Sequence, residues 1–178
     1  MTPLATELPH LYLKPGEMRI CEEPTIVTTL LGSCVAVAMY NERLKIGAIC
    51  HGLLPSCRNA RPCDGHCLEG FRYVDCSIRR MLEVFQKRGI VQSEIDVKVF
   101  GGSDMFNVKV GASKNRSVGR QNVEKALQIV DNEGLRIIAS DLGGLRGRKI
   151  YFYTHTGEVL LKRLHSSMVI HSESILSV

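Results

Sequence analysis

The stretch CVAVAMYNERLKIGAICH, residues 34–51, decides the fold because it contains two apolar runs around a short polar segment. The polar segment, residues 41–44, has the length of a four-residue β-hairpin loop. A hairpin with this loop pairs Tyr40 with Lys45 and places Cys34 directly opposite His51. Directly opposed residues have Cβ atoms roughly 4.5–5.5 Å apart, so the sequence predicts a cysteine–histidine pair. Both runs are apolar on both faces, which indicates layers packed on each side of the sheet.

A cysteine next to a histidine can form an activated sulfur nucleophile, because the imidazole accepts the thiol proton. Gly32 and Ser33 interrupt the strand pattern just before Cys34. Backbone N–H groups at such a turn can face a developing oxyanion, although for Ser33 a plain turn is the simpler interpretation. The alternative for Cys34 and His51 is a small buried thiol and a satisfied histidine, both in the core.

The rest of the chain predicts a mixed α/β domain of the α+β type. The periodicity favours helices over residues 70–88 and 118–133, which Gly89 and Gly134 can end. The apolar positions that share one face are Val74, Ile78, Met81, Leu82 and Phe85 in the first helix, and Val123, Ala126, Leu127 and Val130 in the second. Strand patterns cover residues 18–29, 95–100, 135–140, 149–154 and 158–164. We expect a single domain over residues 1–178, with a loosely held arm at 1–16, a cysteine-rich loop at 55–69 and a tail at 165–178.

Composition excludes several classes of function. The 178 residues carry a formal net charge of +5, which only slightly favours acidic partners. Tryptophan is absent and no aromatic residues alternate with the basic ones, so a nucleic-acid stacking surface is not expected. No apolar run reaches the roughly 20 residues of a membrane span, and the N-terminal residues show no signal-peptide pattern. We therefore expect a cytoplasmic protein without membrane insertion, whose seven cysteines are mostly reduced.

Six sequence blocks, in order, resemble the CheD family of chemoreceptor glutamine deamidases. They lie within residues 24 to about 162, nearly the whole chain. The blocks are TTLLGSCVAV (28–37), GAICHGLLP (47–55), VFGGSDMF (99–106), VGRQN (118–122), DLGGLRGRKI (141–150) and TGEV (156–159). The resemblance implies a layered sandwich of mixed, largely antiparallel sheet with two main helices, similar to the catalytic domain of necrotizing-factor toxins.

The resemblance also implies a site and a reaction. The family's nucleophile falls on Cys34, its histidine on His51 and its threonine on Thr28, which would accept a hydrogen bond from the imidazole. Thr29 is the competing threonine. The implied reaction converts a receptor glutamine to glutamate without a cofactor. The implied partners are the cytoplasmic domains of methyl-accepting chemoreceptors and a CheC-type phosphatase. An alternative is a protein that acts mainly by binding this phosphatase.

Four further residues are candidates for the substrate region: Gly101, Gly102, Phe106 and Asn122. The glycine pairs at 101–102 and 143–144 match no phosphate-binding motif, and we interpret them as tight turns or close backbone approaches near the site. Asn122 lies at a helix start, where a structural role is the simpler interpretation. The chain departs from the family pattern at Gln121, where the family usually has arginine.

A second departure is the cysteine-rich loop. Cys57, Cys63, His66 and Cys67 are the candidate metal ligands there, but their spacing does not match the paired C-x2-C units of common zinc modules. We therefore expect no metal. A loop of reduced thiols is the simplest interpretation, and a metal- or redox-sensing module built on residues 57–67 is the alternative.

Overall fold

The computed structural model describes residues 7–57, 71–104 and 117–165, together with the backbone of a last strand at 175–177. Ten strands and two helices make up this part of the chain. In order, they are β1 (His10–Tyr12), β2 (Met18–Cys21), β3 (Ile26–Leu31), β4 (Val35–Asn41), β5 (Ile46–Gly52), α1 (Val74–Lys87), β6 (Asp96–Gly101), α2 (Val118–Asn132), β7 (Arg136–Leu142), β8 (Arg148–Tyr153), β9 (Val159–Arg163) and β10 (Ile175–Ser177). A short 3-10 turn, Gln92–Glu94, precedes β6.

The strands form two five-stranded sheets. The first sheet has the order β1-β3-β8-β9-β10 and the second has the order β2-β5-β4-β6-β7. Only the β1–β3 and β6–β7 pairs are parallel among the described strands, so both sheets are mixed and largely antiparallel, as predicted. The strand material predicted at 18–29 divides into β2 and β3, which belong to different sheets.

The molecule has three layers, with the second sheet in the middle. One core lies between the two sheets and includes Val27, Ala36 and Phe100. The other lies between the second sheet and the helices and includes Val37, Cys50 and other apolar side chains. Because the central strands β4 and β5 are covered on both faces, all of their residues are buried, which confirms the expectation of layers on each side.

Helix α1 confirms its predicted apolar stripe. Its buried side chains include Val74, Ile78, Met81, Leu82 and Phe85. Helix α2 buries a slightly different face from the predicted one. Its buried residues include Asn122 and Ile129, whereas Leu127 is only half-buried. Ser117 caps α2, since its side chain accepts a hydrogen bond from the Arg120 N–H at 3.2 Å.

The predicted N-terminal arm is anchored in the core over its described part. Its short strand β1 pairs with β3. Leu13 is fully buried, and its N–H donates to the Thr28 carbonyl at 2.8 Å. No helix within the described ranges has the length and apolar character that crossing a membrane requires.

Candidate active site

His51 lies on β5 and faces the core between the sheets, with a side chain that is 1% exposed. Its Nδ1 atom is 2.7 Å from Thr29 Oγ1, which is also 2.7 Å from the Leu13 carbonyl oxygen. A threonine hydroxyl has one proton, and a carbonyl oxygen can only accept. Thr29 therefore donates to Leu13 and accepts from His51 Nδ1–H. This fixes the tautomer and leaves the lone pair on His51 Nε2.

The structure places Thr29, not Thr28, against His51. Side chains alternate along a strand, so Thr29 shares its face of β3 with Val27 and Leu31, which pack between the sheets. Thr28 faces the outer side of the first sheet. The prediction that Thr28 bonds the imidazole is thus wrong in this structure, because the spacing to Cys34 alone did not define which face of β3 meets the second sheet.

The predicted hairpin exists, but its register differs by two residues. Asn41 pairs with Ile46, and Ala36 rather than Cys34 lies opposite His51. The loop is therefore 42–45 instead of 41–44. Two features favour it: Asn41 Oδ1 accepts the Leu44 N–H at 2.9 Å, and Lys45 adopts the left-handed conformation with φ 54°.

A shift of two residues preserves the face on which each side chain lies. Cys34 comes just before β4 and packs against the core between the sheets, the side that His51 also faces. The two residues are therefore diagonal neighbours rather than direct partners. His51 Nε2 is buried and has no hydrogen-bond partner among the described residues. Cys50 faces the opposite core, as expected for a packing residue.

Burial keeps both candidate catalytic groups neutral near pH 7. Desolvation raises the pKa of the Cys34 thiol above its usual 9.0. Desolvation also lowers the pKa of His51 to about 4. The site at rest is therefore a neutral thiol and a neutral imidazole with a free lone pair, rather than a thiolate–imidazolium ion pair.

The turn before Cys34 is held by the loop that follows β6. The Gly102 N–H donates to the Cys34 carbonyl at 2.8 Å, and the Ser103 N–H donates to the Gly32 carbonyl at 2.9 Å. Gly101 has φ 115°, and a Cβ atom there would lie 2.2 Å from the Cys34 carbonyl oxygen. The predicted close backbone approach at glycines 101–102 is confirmed, because only glycine permits this contact.

Two further buried residues lie beside the site: Asn122, which the sequence indicated as a candidate, and Arg148, which it did not. The Asn122 side chain donates to the Ser33 carbonyl at 3.0 Å and to the Leu53 carbonyl at 2.9 Å. Arg148 is fully buried and pairs across strands with Leu31, at the end of β3 that leads into the turn. The sequence alone favours a solvated surface position for this arginine and does not predict its burial.

The Arg148 guanidinium binds the segment at the end of β7. Its Nη2 donates to the Gly143 carbonyl at 2.7 Å, and its Nε is 2.9 Å from Asp141 Oδ1. The Gly143 N–H in turn donates to the Gly101 carbonyl at 2.9 Å. The buried arginine therefore supports the loop that holds the candidate nucleophile.

Several predicted residues lie outside the described ranges: Phe106, Cys63, His66 and Cys67. Cys57 is described, half-buried and not in a disulfide. Within the described ranges, no three histidine, cysteine or acidic side chains come close enough to hold a metal ion.

Comparison with known proteins gives a consistent set of relatives. The family model "CheD chemotactic sensory transduction" matches residues 53–163. A Geobacter sulfurreducens protein, "Probable chemoreceptor glutamine deamidase CheD 2", is 53% identical over 93% of this chain and 96% of its own length. A Maridesulfovibrio salexigens protein, "Probable chemoreceptor glutamine deamidase CheD", is 35% identical over 92% of this chain and 96% of its own length.

The Bacillus licheniformis hypothetical protein YfiH, a solved structure, aligns at a TM-score of 0.46 with 12% identity, covering 70% of this chain and 50% of its own.

Proposed function

This chain belongs to the CheD family, and from that premise we propose that it is a chemoreceptor glutamine deamidase. The observation that carries the proposal is the buried imidazole of His51, with Nδ1–H donated to Thr29 and Nε2 free on the side that Cys34 also faces. An imidazole can activate a nucleophile when its other ring nitrogen is held by a hydrogen bond to a third residue. The enzyme is a protein-glutamine amidohydrolase, and its substrates are chemoreceptors.

The reaction follows from the neutral resting pair. When a glutamine side chain enters, His51 Nε2 accepts the Cys34 thiol proton and the thiolate attacks the carboxamide carbon. The backbone N–H groups of the turn at residues 32–34 stabilise the oxyanion. His51 returns its proton to the leaving nitrogen, the C–N bond breaks and ammonia departs, leaving a thioester on Cys34.

Hydrolysis of the thioester completes the cycle. His51 Nε2 accepts a proton from water, whose oxygen attacks the thioester carbon, and the C–S bond breaks. Cys34 recovers its proton and the product is glutamate. Throughout, Thr29 accepts the Nδ1–H of His51, so the imidazolium that forms in each step keeps a hydrogen-bond acceptor. No cofactor takes part in these steps.

Intact-mass spectrometry of a chemoreceptor cytoplasmic fragment tests this function. Incubation with the wild-type protein is expected to add about one mass unit for each glutamine converted, and Cys34→Ala is expected to abolish the gain. Cys50→Ala is the matched control, because this cysteine is fully buried in the core next to the helices, away from the site. An unchanged receptor mass with folded, reduced wild-type protein contradicts the proposal.

A CheC-type phosphatase is the proposed regulatory partner, on the basis of the family resemblance alone. Binding of the purified phosphatase to wild-type protein and to Cys34→Ala separates this role from catalysis. If receptor signalling survives Cys34→Ala and binding is intact, the protein acts mainly as a binding partner. The metal- or redox-sensing role of residues 57–67 stays a prediction, and the metal content of the reduced protein tests it.

A further inference from the structure

Asn122 joins the segment of the candidate nucleophile to the segment of the candidate base. It lies in the first turns of α2, and its side chain is fully buried. Its amide nitrogen is 3.0 Å from the Ser33 carbonyl oxygen and 2.9 Å from the Leu53 carbonyl oxygen. Ser33 directly precedes Cys34, and Leu53 comes two residues after His51. One side chain therefore holds both segments in place.

The bond to Ser33 also determines where the Cys34 N–H points. In a trans peptide, the carbonyl of one residue and the N–H of the next point in opposite directions, and no described peptide bond is cis. Because the Ser33 carbonyl points toward Asn122, the Cys34 N–H must point away from α2. That N–H interacts with the thiol of its own residue, where it lowers the pKa against the larger effect of burial.

Asn122 cannot act directly on the reacting group. Its two amide protons are both used by backbone carbonyls, so neither is free to donate to a substrate. Its Oδ1 is buried without a partner among the described residues, but an acceptor cannot stabilise a developing negative charge. Any contribution to catalysis must therefore pass through the peptide that it orients.

We propose that Asn122 is a positioning residue that aims the Cys34 N–H at the developing oxyanion, a role that rests on the proposed deamidase function. An oxyanion donor is effective because it is already oriented before the reaction begins. Without Asn122, the peptide between Ser33 and Cys34 loses the bond that its own carbonyl accepts, while the flanking Gly32 and Cys34 carbonyls keep theirs. The thiol remains present, but the donor beside it is held less firmly.

Two chemical probes of Cys34 test this role without a receptor. Acetylation by p-nitrophenyl acetate passes through a tetrahedral oxyanion, forms a C–S bond and releases p-nitrophenolate. Alkylation by iodoacetamide displaces iodide at a saturated carbon and forms no oxyanion. Both rates are measured on the Cys34 peptide by mass spectrometry, in wild type, Asn122→Leu and Asn122→Asp. Leucine has a similar volume and no donor, while aspartate keeps the shape but loses both N–H donors and has at most one O–H donor, in its protonated form.

The ratio of acetylation to alkylation is expected to fall roughly 10- to 100-fold in both variants, less than for complete removal of an oxyanion donor. The alkylation rate is expected to stay within about threefold of wild type, since it needs no oxyanion donor. Val130→Ala, a buried substitution on the same helix, is the control and keeps the wild-type ratio. If Asn122→Leu does not fold, Asn122→Asp decides the question.

An unchanged ratio of acetylation to alkylation in a folded variant overturns the proposal. A parallel loss of both reactions with a lowered melting temperature also overturns it, because that result indicates a structural role only. The result is independent of receptor deamidation. A wild-type protein that fails to deamidate receptors refutes the proposed function, whereas an unchanged probe ratio refutes the role of Asn122.

Discussion

Replacing Thr29 by valine tests the hydrogen-bond chain behind His51, the proposed catalytic base. Valine keeps the shape of threonine but removes the hydroxyl that joins His51 Nδ1–H to the Leu13 carbonyl. Both groups then lose a partner in a buried site, at about 1–3 kcal/mol each. If one such penalty falls on the transition state, it lowers kcat/KM roughly 5- to 150-fold, because about 1.4 kcal/mol corresponds to a factor of ten.

The assay is receptor deamidation, followed by intact mass, with thermal unfolding measured on the same samples. Thr29→Ser retains the hydroxyl and is expected to keep most of the activity. Thr28→Val is the matched control, since it removes the neighbouring hydroxyl from the opposite face of β3, and we expect near wild-type activity. A large loss in Thr28→Val with normal activity in Thr29→Val refutes the assignment of the third residue.

Three other predictions concern stability. Because burial lowers the pKa of His51 to about 4, the folded protein binds its proton less readily than the unfolded chain. The free energy of unfolding should therefore fall by up to about 3 kcal/mol as the pH drops from 6.5 to 4. Urea unfolding at several pH values measures this dependence, which should be weaker in His51→Asn. Arg148→Met should cost about 1–3 kcal/mol, because it removes a fully buried guanidinium that donates to the Gly143 carbonyl and pairs with Asp141. Arg163→Met should cost under about 1 kcal/mol in the same assay, because Arg163 pairs with the same carboxylate from a more exposed position. Gly101→Ala should lower the melting temperature more than Gly143→Ala. Both glycines have positive φ, but only a Cβ at position 101 would meet a backbone atom, at 2.2 Å. Equal shifts in melting temperature would contradict the steric argument.

Local patterns in the sequence predict the elements of this fold well. The alternating and continuous apolar runs locate β4 and β5, and the 3.6-residue period locates α1 with its buried face. The exact register of the hairpin depends on more than its polar composition. It depends on Asn41, which bonds the loop with its Oδ1 and the Glu94 carbonyl with its Nδ2, a contact 53 residues away.

The identity of the third site residue could not be predicted from the same local patterns. Thr28 and Thr29 are adjacent, and either fits a strand. The choice depends on which face of β3 lies against the second sheet, which is set by the packing of Val27 and Leu31 between the sheets. Asn122 is a similar case: its two acceptors are 89 and 69 residues away in sequence, so the side chain looks like an ordinary polar residue of a helix.

The location of Cys34 and His51 between two sheets explains why this candidate site has neutral hydrogen bonds instead of an ion pair. The burial that leaves His51 1% exposed disfavours the charged form of the imidazole, and the same desolvation keeps the Cys34 thiol protonated. A thiol held in this form reacts slowly with solvent oxidants, because the thiolate is the reactive species. In the proposed mechanism, charge develops only when a substrate carbonyl is present to share it, and the N–H groups of the turn and the acceptor at Thr29 then become stabilising. On this proposal, specificity for a bound amide follows from the burial of the site as much as from the identity of its residues.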